Sequence, residues 1–90
     1  MGHEQGGRRH VVVVQSDDLD VLSTWMVAPT STSARPSIFR PVIDLNGTPT
    51  RVLVEQTPAV DPSRLGDRVG RLRCDELRAV EAALRLVLAL

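Results

Sequence analysis

The sequence predicts an α+β fold: a small, strongly bent antiparallel sheet followed by one C-terminal helix. Three observations carry this. A continuous β-branched run, "VVVV", stands at 11–14. An Asn-Gly pair at 46–47 separates two apolar runs. From Asp75 onward the apolar period lengthens from that of a strand to that of a helix.

Taken in order, "HVVVVQ" (10–15) suits a strand buried on both faces, or one face of a strongly curved sheet. "SDDLD" (16–20) is turn chemistry. "STWMVAPT" (23–30) reads as a second strand ending at Pro29, and "STSARP" (31–36) as a polar loop. "SIFRPVIDL" (37–45) alternates in part, and Pro41 makes it an edge or bulged strand, because proline cannot donate to a ladder. "NGTPT" (46–50) holds the hairpin turn, and "RVLVEQ" (51–56) is the returning strand. "DPSRLG" (61–66) reads as one helical turn with Asp61 as cap and Pro62 in first place. "DRVGRL" (67–72) is a further short strand. The helix then runs to Leu90, with Leu77, Val80, Leu84, Val87 and Leu88 as its apolar stripe. Asp75 and Glu76 sit in its first turn, where the helix dipole favours anions.

Ninety residues make one domain, 1–90, with a modest core that burial against a second copy would help. Eleven basic and eleven acidic residues balance. Neither half carries a strong excess, so a sequence-independent nucleic-acid coater is excluded and any phosphate contact is local. Every cation is arginine, a planar fork suited to two-oxygen contacts. The lone Cys74 excludes an internal disulfide and reads as a reducing cytoplasm. No apolar run approaches the ~20 residues of a membrane span. His3, His10 and Cys74 have no metal-ligand spacing, so neither a metal nor another cofactor is expected.

What remains is an arginine-centred rim. If the first two strands pair antiparallel, Arg8 and Arg9 at the start of one lie beside "TSTS" (30–33) at the end of the other. A guanidinium and one or more hydroxyls could then hold one phosphate. Glu4 and Gln5 would hang over the same rim. The bland alternative is a loop whose hydroxyls satisfy their own backbone while Arg9 pairs with Glu4. Trp25 and Phe39, the two aromatics, read as core or interface rather than as base platforms. Base contacts would then fall to the loops 16–22 and 31–36.

The segments "GHEQGGRRHVVVV", "STWMVAPTSTSARPSIFRPVIDLNGTPTRVLVEQ" and "LGDRVGRLRCDELRAVEAALRLVLAL" together resemble the MazF/PemK toxins of bacterial toxin–antitoxin modules. The most specific pieces are G-x-EQ-G-G-x-R before a strand, V-x-P-T-S-T-S after the next, and the EQ of Glu55 and Gln56. The resemblance implies an SH3-like, CcdB/MazF-type antiparallel β-barrel with a C-terminal helix, assembled as a homodimer. It implies a metal-independent, sequence-specific endoribonuclease acting on single-stranded RNA in the cytoplasm, neutralised by a MazE-like antitoxin.

The resemblance places the essential arginine on Arg9 and the essential hydroxyl on Ser31, with Glu4 as the carboxylate of the acid–base pair. Gln5, Arg8, Thr32, Arg35 and Gln56 are the expected RNA contacts. Three departures stand out. The chain begins at Gly2 of the G-x-EQ loop, so the strand that family members place before it is expected to be missing, leaving an open sheet edge and Glu4 near a free terminus. His10 replaces a frequent proline, and Pro58 a frequent arginine. Two other functions fit the same barrel: a relative that has lost catalysis but still binds antitoxin, and a CcdB-like toxin that binds DNA gyrase.

Overall fold

The computed structural model describes residues 2–5, 9–14 and 24–90, with side chains from His10 onward except at 67–69. Its strands are β1 (Gly2–Gln5), β2 (Arg9–Val13), β3 (Trp25–Ser31), β4 (Val42–Leu45), β5 (Thr48–Val52), β6 (Ala59–Val60) and β7 (Leu65–Gly70). One helix, α1, spans Cys74–Leu88. All pairings are antiparallel in the order β4-β5-β3-β2-β1-β7, with β6 also on β3. The sheet curls strongly into a half-barrel, and α1 packs against one side of it.

The segment expected to be a loop, Gly2–Gln5, is a strand. It pairs with β2 through Glu4↔His10 and Gln5↔Arg9, and with β7 through His3↔Arg68 and Gln5↔Leu65. Its own two edges are therefore both covered, and Glu4 is held in a ladder. The valine run behaves as its sequence predicts. Val11 and Val13 face Val27 and Trp25 on one side of the sheet, while Val12 joins Ala28, Val52 and Val80 on the other. A strand with both faces buried needs apolar residues at every position, which is what 11–13 supply.

β3 does not stop at Pro29. Its pairing with β2 runs from Val13↔Val27 to Val11↔Pro29, and Thr30 and Ser31 then pair with Val52 and Arg51 of β5. Proline has no N–H to offer β2, and its carbonyl accepts from Leu53 N at 2.8 Å. The ring marks a change of partner rather than an end. Trp25 and Met26 take β6 as well, so β3 touches three strands.

The expected strand 37–45 begins only at Val42. Ser37 O accepts from Arg40 N at 3.0 Å, folding 37–40 into a turn, and Pro41 O accepts from Val52 N at 2.9 Å. Asn46 and Gly47 form the two-residue turn, at φ 53° and 85°, with Leu45 opposite Thr48. The returning strand therefore starts at Thr48, earlier than expected. Val54–Gln56, read as strand, is instead a single 3₁₀ turn in which Gln56 N donates to Leu53 O at 3.0 Å. Asp61 caps the next 3₁₀ turn as expected, accepting from Ser63 N at 2.9 Å.

The helix is rotated relative to the predicted stripe. Glu76, Val80 and Ala83 are buried and Leu84 is half-buried, whereas Leu77, Val87 and Leu88 are exposed. The reason is Glu76, which is 5% exposed. Its Oε2 accepts from Asp44 N at 2.6 Å and its Oε1 from Arg73 N at 2.9 Å. One carboxylate thus caps α1 and ties it to the edge strand β4, which turns position 76 inward. The helix ends at Leu88, with Ala89 in the left-handed region at φ 59°.

Candidate functional site

The start of β2 and the end of β3 share one rim of the half-barrel. The register that sets Val11 opposite Pro29 continues as Thr30 Oγ1 donates to His10 O at 2.6 Å. Arg9 opens β2 one residue earlier, with Gln5 as its partner on β1. Ser31 closes β3, and the chain bends at Thr32 and Ser33.

The two adjacent hydroxyls have opposite commitments. The proton of Thr30 is held by the His10 carbonyl. The oxygen of Ser31 accepts from Ser33 N at 3.2 Å and lies 3.4 Å from Ser33 Oγ. A hydroxyl that accepts from a backbone N–H still carries one proton, for which Ser33 Oγ and a ligand are the alternative acceptors.

Beside this rim is an open pocket of about 420 Å³, lined by His10, Pro29, Thr30, Ser31, Thr32, Leu45, Thr50, Leu53 and Gln56. It gathers Ser31, Thr32 and Gln56 from the expected set. Gln56 arrives on the 3₁₀ turn after β5, which places it across the pocket from β2. Arg35 is exposed on the loop after β3 and is not a pocket wall. Glu4, Gln5 and Arg9 are placed by their backbone register alone. Arg8 and the loop 16–22 lie outside the described residues.

Several pocket residues escaped the sequence reading. Thr50 falls in the turn segment "NGTPT" of the sequence, yet it is 2% exposed. Its spacing of two from buried Val52 would have put it inward once β5 was known to start at Thr48. His10 reads in the sequence only as the start of a strand, while Thr30 falls within the rim segment "TSTS". Nothing local in the sequence marks Leu45 and Leu53 as walls, because the change of partner along β3 brings them there.

Next to Gln56 in the chain, Glu55 forms an ion pair with Arg40 that the sequence does not reveal. Glu55 Oε2 accepts from Arg40 Nε at 2.9 Å and from Arg40 Nη2 at 2.6 Å. Both side chains are about three-quarters buried, at 22% and 24% exposure. The hydrogen bonds from Arg40 hold the Glu55 carboxyl below its ordinary range, and the same bonds raise Arg40 above its own. Among the described residues no cluster of three His, Cys, Asp or Glu is placed to hold a metal ion. No helix among them is long and apolar enough to cross a membrane.

Residues 1–88 match the family model described as PemK-like, MazF-like toxin of type II toxin–antitoxin system. Rv3098A of Mycobacterium tuberculosis, named as a candidate toxin, is 42% identical over 90 residues, covering 99% of this chain and 84% of that protein. The Mycobacterium tuberculosis toxin MazF-mt6 superposes with a TM-score of 0.88 at 23% identity, over 99% of this chain and 96% of that one. A mycobacterial endoribonuclease solved with its cognate antitoxin superposes at 0.86 with 15% identity, over 99% and 92%. The family match over nearly the whole chain and the 42% identical relative show that the chain belongs to the PemK-like, MazF-like toxins of type II toxin–antitoxin systems.

Proposed function

We propose that this toxin is a metal-independent endoribonuclease that cuts single-stranded RNA at the rim of β2 and β3. The observation that carries the reading is the Ser31 hydroxyl. It is oriented by Ser33 N, can turn its proton toward a phosphate, and borders a pocket at the end of the strand next to Arg9.

The chemistry needs no cofactor. The ribose 2′-oxygen attacks the adjacent phosphorus, forming the new P–O2′ bond of a cyclic phosphate. The P–O5′ bond breaks, the 2′ proton passes to a base, and the leaving 5′-oxygen takes up a proton. Arg9 neutralises the charge that grows on the phosphorane oxygens, since a guanidinium stays protonated and offers two parallel donors. Ser31 donates to the same phosphate. Glu4, opposite His10 in the β1–β2 ladder, is the proton acceptor. Gln5, Arg8, Thr32, Arg35 and Gln56 hold the strand on either side.

The functional form is a cytoplasmic homodimer whose partner is a small acidic MazE-like antitoxin seated in the RNA groove. Support for such a partner comes from two structural neighbours, the mycobacterial endoribonuclease with its cognate antitoxin and the MazE–MazF complex from Deinococcus radiodurans.

The test is incubation of a long single-stranded RNA with purified protein in EDTA, beside Arg9→Ala. Discrete cuts that disappear in the variant are expected, with its thermal midpoint unchanged. Cleavage by Arg9→Ala at the wild-type rate removes Arg9 from the mechanism. A folded wild type that makes no cuts points instead to a toxin relative that only binds.

A further inference from the structure

Arg40 and Glu55 are fifteen residues apart in sequence and belong to the two segments that flank the pocket. Besides gripping Glu55, Arg40 donates from Nη1 to Arg35 O at 3.2 Å and lies 5.8 Å from the centre of the Phe39 ring. Its own carbonyl accepts from Arg51 Nη1 at 3.0 Å. One guanidinium therefore joins the loop after β3 to the 3₁₀ turn after β5. Gln56 follows Glu55 directly, and Thr32 begins the loop that Arg40 closes. The second oxygen of Glu55, Oε1, is buried with no hydrogen-bond partner among the described residues. Both hydrogen bonds from Arg40 therefore converge on the other oxygen, Oε2.

We infer that Arg40 is a positioning residue for RNA binding: by clasping Glu55 and the Arg35 carbonyl, it holds the loop that carries Arg35 at a set spacing from the 3₁₀ turn that brings Gln56 to the pocket. The inference rests on the ribonuclease reading. Among the described residues the side-chain hydrogen bonds of Arg40 go to Glu55 and Arg35 and not to Ser31, so its loss should weaken the hold on substrate and leave the chemical step alone. Glutamine in its place removes the charge and the fork. Lysine keeps the charge, but as a single point that cannot reach two oxygens in the fixed geometry of a guanidinium.

The experiment compares wild type, Arg40→Gln and Arg40→Lys by steady-state cleavage of a short single-stranded RNA, and by amide hydrogen exchange without RNA. In Arg40→Gln, KM is expected to rise about tenfold with kcat within about twofold, because a partly buried charged hydrogen-bond pair is lost away from the reacting atoms. Arg40→Lys should fall between the two. Exchange should quicken at the amides of Arg40 and Gln56, while those of the β4–β5 hairpin stay protected. Unchanged KM and unchanged exchange in Arg40→Gln overturn the inference, as does a fall in kcat at constant KM. A wild type that neither binds nor cuts RNA refutes the ribonuclease reading and this inference with it. The exchange data then still report whether the clasp holds the two segments together.

Discussion

Thr30 and Ser31 are adjacent in sequence and alike in chemistry, but their surroundings give them different work. Thr30 spends its proton on a backbone carbonyl across the ladder, which braces the rim. Ser31 accepts a hydrogen bond from Ser33 N and can donate its own proton to a ligand. Ser31→Ala should therefore remove one hydrogen bond to a charged phosphate, about 1.5–3 kcal/mol. In kcat/KM that is a loss of roughly ten- to more than a hundredfold. Ser31→Thr should keep most of the activity. Both are read by cleavage of the RNA used for the Arg9 variant, and a wild-type rate in Ser31→Ala would dismiss the assignment. The rim was legible because two apolar runs joined by a short connection pair antiparallel, which already placed "TSTS" beside Arg9. The pocket was not legible, since four of its walls come from β4 to the 3₁₀ turn and meet β3 only after its change of partner at Pro29.

At the scale of elements, local chemistry that acts on its own backbone was readable from sequence. Asn46-Gly47 turns the hairpin and Asp61 caps its turn, because both effects involve residues within a few positions of each other. Glu76 was misread for the opposite reason. In sequence it is an acid in the first turn of a helix, an ordinary solvated position. In the fold it is nearly buried, and half of its hydrogen bonding goes to Asp44, thirty-two residues away. That contact rotates α1 and exposes Leu77 and Val87 in place of hydrophilic residues. Glu76→Gln tests the point. Glutamine has one side-chain acceptor oxygen where the carboxylate has two, so one of the N–H groups of Asp44 and Arg73 loses its partner. The expected cost is about 1–3 kcal/mol, and for a domain of this size each kcal/mol lowers the melting temperature by about 4–8 °C. Calorimetry measures it. An unchanged melting temperature would show that the Asp44 and Arg73 amides find other partners and that Glu76 does not set the docking of α1.

For the whole molecule, the question is whether two small apolar clusters behave as one core. One lies under α1, around Val12, Val52 and Val80; the other lies on the far face of the sheet, around Val11, Val27 and Trp25. They share β2 and β3, with alternate residues of each strand serving opposite clusters. Loosening one face must disturb the strands that present the other, so a single cooperative transition is expected. Val80→Ala examines this from the helix side, at a residue 2% exposed. Removing its two methyl groups should cost about 2 kcal/mol, a drop of about 8–16 °C. Trp25 is the sole tryptophan and packs against the far cluster, so its fluorescence reports the face that the substitution does not touch. The melting curve followed by tryptophan fluorescence should fall by the same amount as the curve followed by helical circular dichroism. If the circular dichroism midpoint drops while the fluorescence midpoint stays, the helix side melts separately. The rim would then rest on the β1–β2–β3 face without needing α1 docked.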